Sequence, residues 1–108
     1  MTFQETAAQF AQSGGGTDDF KRLYKEAFSL MKSDSANAAL YFVIGVAAHA
    51  YVLTYEDQAV TTELAESAKA ALVGFNEKIC RALSADAATR LALLGEVATD
   101  YQFEVHSF

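Results

Sequence analysis

The chain predicts an all-α fold, a helical bundle of four main helices plus a short N-terminal helix. Three observations carry that prediction. There is no proline, and the only strong break is one glycine run, Gly14 to Gly16. Apolar residues recur at helical spacing in the segments on both sides of that run. The stretch Ala36–Tyr55 contains no Asp, Glu, Lys or Arg and is apolar nearly all the way round. A helix without a wet face is one enclosed by neighbours, so Ala36–Tyr55 is expected at the centre with the other helices around it. At 108 residues the chain is one domain, with residues 1–16 forming the N-terminal helix and hinge and 17–108 the bundle.

The elements follow in order. Thr2 and Glu5 have capping-box spacing, and Phe3, Ala7 and Phe10 give a narrow stripe, so Thr2 to Gln12 reads as a short helix. Three turns do not persist alone in water, so this helix needs a docking site. Ser13 to Gly16 is a hinge. It is not a phosphate loop, since no Gly-Lys-Ser/Thr follows and Asp18 and Asp19 would repel an anion. Thr17 is expected to cap a helix over Asp18–Lys32, whose stripe is Phe20, Leu23, Tyr24, Ala27, Phe28 and Met31. Asp18 and Arg22 are spaced to pair across one turn. Ser33 to Ser35 is a turn, with Ser35 the expected cap of the central helix.

A long helix is expected from Gln58 to Leu83, with Val60, Leu64, Ala68, Ala71, Phe75, Ile79 and Ala82 on one seam. Cys80 falls on its back with Val73, Glu66 and Glu77. The last helix starts at Ser84-Ala85-Asp86 and runs to about Phe103, with Leu91, Leu94, Ala98, Tyr101 and Val105 as its stripe. Glu96, Asp100 and Glu104 follow one flank at spacing that reads as a solvated face. Phe103 lies opposite the stripe, and the aromatic end at Phe108 is expected to cover core or to meet another subunit.

Composition narrows the functional classes. The net charge of −6 disfavours direct contact with nucleic acid or anionic lipid and suits a basic protein partner. The central stretch is long enough to cross a bilayer, but its basic flank is thin and amphipathic helices on both sides are ready to cover it, so no membrane span is expected. The single Cys80 allows no internal disulfide, and the N-terminus lacks a basic start and an apolar signal core; both point to the cytoplasm.

No catalytic or metal-binding constellation is recognised. His49 is the one histidine on the central helix, and no second ligand stands one turn away. His49, with Gly45 able to admit a ring and Tyr41 nearby, is the only candidate place for an apolar ligand or cofactor; no particular cofactor is implied. The commoner role of a lone histidine on an apolar face is a core residue. The main expectation is a small protein-interaction module, of the regulator, inhibitor, immunity or chaperone-adaptor kind. Its candidate surfaces are Glu56, Asp57, Glu63 and Glu66, the most acidic local patch, and the rings of Phe103 and Phe108. Rings left off the main stripes, and an N-terminal helix beyond a glycine hinge, further predict a homodimer.

Overall fold

Capping and turn chemistry set the observed elements. The structure, a computed structural model describing residues 1–108, contains five helices: α1 (Phe3–Gln12), α2 (Thr17–Ser33), α3 (Ala38–Tyr55), α4 (Thr62–Leu83) and α5 (Ala87–Glu104). The capping box at α1 is present: the Glu5 N–H donates to Thr2 Oγ1 at 3.1 Å, and the Glu5 carboxylate returns to the head of the helix. At α2 the cap is Gly16, not Thr17. The Gly16 N–H donates to Asp19 Oδ2 at 3.0 Å, so Thr17 is already helical. Asp19, rather than Asp18, then pairs with Arg22, at 3.1 Å.

The entry to α3 also differs from expectation. Ser35–Asn37 forms a single 3-10 turn, and Ser35 caps nothing. Asp34 pins the turn instead, accepting from Asn37 Nδ2 at 3.0 Å and from the Tyr41 hydroxyl at 2.6 Å. The α3–α4 connection is longer than expected. Asp57 has a φ of 64°, and Thr61 caps α4 by accepting the Leu64 N–H at 3.1 Å, which leaves Val60 outside the helix. Asp86 caps α5 through the Thr89 N–H at 2.8 Å.

α3 is central. It packs most extensively on α2 and also meets α4 and α5, while α1 lies across α2 and α4. Its small residues Ala47 and Ala48 are wholly buried and let the neighbouring helices approach closely. The glycine hinge folds α1 back onto its own chain. Phe3 and Phe10 are buried in the common core, Phe3 against Tyr41, and Lys69 Nζ donates to the Ser13 carbonyl at 2.7 Å beside the end of α1. A lysine there also suits the negative pole of the helix dipole. The radius of gyration, 13.1 Å, is close to the roughly 13 Å of a compact domain of this length.

A run of aromatic contacts threads the core. Phe10 of α1 meets Phe20 of α2 edge-on, with centroids 5.0 Å apart, and Phe20 stacks on Tyr51 of α3 at 4.0 Å. Tyr51 meets Phe108, Phe108 meets Tyr101 of α5, and Tyr101 meets Phe75 of α4. Phe108 therefore covers core, as one of its two expected roles required, while Tyr55 donates its hydroxyl to the Ser107 carbonyl.

Two expected faces are corrected. α3 is not enclosed on every side: Phe42 and Leu53 are 51% and 72% exposed. Three neighbours leave one side of the cylinder open. On α5 three residues of the expected stripe, Leu94, Tyr101 and Val105, do pack on the core, but Leu91 is 70% exposed, Ala98 is also outside, and the fully buried residues are Leu93 and Val97. At 100° per residue Leu93 and Val97 are centred about 100° round the helix from the predicted stripe, so the inward face lies between the two sets. Arg90 stands on the side of Leu93 and Val97. Its guanidinium donates to the Ala82 carbonyl at 3.1 Å and to the Ala85 carbonyl at 3.0 Å, which holds the 90–93–97 side of α5 against the end of α4.

Candidate interaction surfaces

The space beside His49 is filled by the chain itself. A Cβ built on Gly45 would lie 2.3 Å from the nearest atom of the Phe28 ring. Gly45 does admit a ring, and the ring is Phe28. His49 packs 4.6 Å from the Tyr24 ring and edge-on to Phe28 at 6.3 Å. Tyr41, the third candidate, is buried and engaged with Asp34. His49 and Gly45 thus meet rings of α2, while Tyr41 meets Phe3 of α1 and Asp34, and no group of three metal-ligating side chains gathers anywhere in the chain.

The Asp34–Tyr41 pair, not foreseen as a unit, has a pH signature. The Tyr41 hydroxyl, then the Asn37 amide, hold the Asp34 carboxyl below its ordinary range. Burial, then the bond to Asp34, push Tyr41 up to about 12. A depressed carboxyl contributes stability above its unfolded value, near 4, that is lost as pH falls through the folded value. A raised phenol contributes stability below its unfolded value, near 10, that is lost as pH rises towards the folded value. The advantage of wild type over Tyr41→Phe should therefore be flat between these limits and shrink at both ends. Urea midpoints of both proteins at about pH 3, 7 and 11 check this, and an advantage independent of pH would contradict it.

The acidic residues separate into two groups. Glu56 is not free: Lys21, brought over from α2, pairs with it. Asp57, Glu63 and Glu66 are exposed and belong to no ion pair. Lys69, the nearest basic residue in sequence, is turned away to the end of α1 and leaves them unneutralised. On the other flank of α4, Lys78 bridges Glu96 at 3.4 Å and Asp100 at 3.3 Å, so the carboxylate row of α5 already holds a cation from its own chain. Bonding to Asp100 above all keeps the Lys78 ammonium charged to higher pH than usual.

A groove of about 830 Å³ runs between α1 and α4, which the sequence did not reveal. Ala7, Ala8 and Ala11 form one wall and Val73, Gly74 and Cys80 the other. Cys80 and Val73, off the seam in sequence, thus stand beside α1. Burial, with the charge of Glu77, raises the Cys80 thiol, which disfavours the reactive thiolate. Below them Asn76 is 2% exposed, and neither polar atom of its side chain has a hydrogen-bond partner.

Of the two predicted aromatic surface residues, Phe103 is 66% exposed, whereas Phe108 is half-buried against Tyr51 and Tyr101. The open side of α3, with Phe42 and Leu53, is a surface that the expectation of full enclosure concealed. Compared with family profiles, curated proteins and solved structures, the chain matches none.

Proposed function

We propose that this protein works by binding another protein, and that the corner at the head of α4 is where a basic partner docks. The observation that supports this reading is the cluster of exposed, unpaired carboxylates Asp57, Glu63 and Glu66 on a chain of net charge −6. Two of them stand on the first turns of a capped helix, and the third sits on a turn, so a rigid frame presents them. Such a cluster attracts a basic surface over about one Debye length, roughly 10 Å at 0.1 M salt. The activity envisaged is that of a small regulator, inhibitor or adaptor, acting in the cytoplasm. With Phe28 seated over Gly45, the geometry gives no comparable support to a ligand beside His49.

The test is affinity capture from the source lysate at low and moderate salt. Wild type is compared with the triple variant Asp57→Asn, Glu63→Gln, Glu66→Gln. A specific protein should be retained at low salt, released as salt rises, and held roughly tenfold more weakly by the triple variant. Equal retention by the variant would remove the acidic corner from the proposal. No specific capture by either protein, alongside turnover of a metabolite, would remove the proposal itself.

A further inference from the structure

Two sequence expectations miss at the same place. α3 was to be covered all round and Leu91 was to be buried; instead Phe42, Leu53 and Leu91 are all exposed. These open faces adjoin. Ala36 of the 3-10 turn, Ala39 and Leu40 at the start of α3, and Leu91 and Leu94 of α5 line one cleft of about 170 Å³, with Asn37 and Arg90 at its polar side. We propose that a second copy of this chain covers the face, with α3 packed antiparallel on its counterpart about a two-fold axis at Val46.

The order of side chains along α3 argues for a second copy. Ala39, Phe42, Val46, Ala50 and Leu53 follow one another along its open side, with Phe42 and Leu53 the most exposed. A two-fold axis at Val46 sets each residue against the one equally far on the other side of Val46. Phe42 then meets Ala50, Leu53 meets Ala39, and Val46 meets itself. Large faces small at each outer level, so the strip is complementary to its own reverse, as an isologous contact requires. Seven residues along a helix is about 10.5 Å, which brings Leu53 of the second copy to the cleft beside Ala39. An apolar cavity of about 150 Å³ accepts a benzene ring, so this cleft has room for a leucine side chain.

Charge favours the same occupant. Two chains that each carry −6 repel, and over most of the surface contact would bring carboxylates together. The 18 residues of α3 hold no charged side chain, so two copies meet there with the least repulsion. A helix of that length offers a strip of about 27 by 10 Å, roughly 540 Å² over two copies, and the adjoining α5 cleft with Leu91 brings the buried area to the order of 1,000 Å². An area of that size fits a weak dimer that forms with rising concentration. α1 takes no part in it, since its rings are inside its own chain.

Light scattering after gel filtration tests the proposal at about 100 μM, where a weak dimer with a dissociation constant of micromolar order is populated. Wild type should give twice the chain mass of 11.7 kDa. Leu53→Asp should give the single-chain mass with unchanged helix content, because Leu53 is mostly solvent-exposed within its own chain. In a Cys80→Ser background, Val46→Cys should oxidise to a covalent dimer, and Phe103→Cys, away from the axis, should do so far less. A monomeric wild type, a dimer that Leu53→Asp leaves intact, or equal cross-linking from positions 46 and 103 would overturn the proposal. A face that serves a bilayer or an unrelated protein would give the first of these.

Discussion

Replacing Phe20 by alanine should cost about 3–5 kcal/mol and leave the protein largely unfolded on warming, since domains of this size hold only about 5–15 kcal/mol in total. Phe20 has no exposed surface and touches rings on both sides, Phe10 edge-on and Tyr51 face to face. Its removal takes away apolar burial and leaves a gap between α1, α2 and α3 that backbones on three helices cannot close together. Urea unfolding followed by circular dichroism measures the loss. Phe103→Ala is the matched control. That ring is 66% exposed on α5, so the same chemical deletion should change stability by no more than about 0.5 kcal/mol. Similar losses from both variants would mean that the ring run through Phe20 does not hold the core.

Asn76→Leu should have the opposite sign, a gain of about 1–3 kcal/mol, the desolvation cost of a buried polar group left unpaired. The amide is buried between Leu72 and Ile79 on α4, and neither its oxygen nor its nitrogen has a partner. Leucine has nearly the same shape and asks for no hydrogen bond. The urea midpoint of the variant should rise with an unchanged slope, so that the difference reports stability and not a changed unfolded state. A midpoint that falls instead would show that the amide is engaged. An engaged amide would make the α1–α4 groove a more polar place than its alanine walls suggest.

Helix number, helix type and the central place of α3 were legible because they rest on short-range rules. Thr2 with Glu5 and Asp86 sit where capping needs them, and the stripe on α2 is the buried one, whereas Thr17 and Ser35 do not cap and the Thr61 cap was not read. Which face of α5 turns inward was not legible. Leu91 with Ala98 and Leu93 with Val97 both recur at helical spacing, and the side that carries Leu93 and Val97 is also the one where Arg90 reaches two carbonyls at the α4–α5 corner. Periodicity does not record a side chain that bonds back to carbonyls five and eight residues earlier across a helix corner. Full cover for α3 was misread for a different reason. Hydropathy says that a side chain avoids water, not that its own chain supplies the cover. Around the candidate sites, Gly45 was read as room for the ring of a ligand, whereas the ring against it is that of Phe28, 17 positions earlier in the chain. Glu56 looked free because Lys21 is remote in sequence.

The run of rings from Phe10 to Phe75 has an optical and a cooperative consequence. It passes through every helix once, so no helix can depart without uncovering a ring that belongs to the next. Disorder begun at one end is thereby felt at the other, which favours melting as one unit over piecemeal fraying. The chain has five tyrosines and no tryptophan, and two of the tyrosines, Tyr51 and Tyr101, are links in this run. The part of the near-ultraviolet signal that comes from Tyr51 and Tyr101 therefore reports the closure of the run, while Tyr24, Tyr41 and Tyr55 report their own contacts.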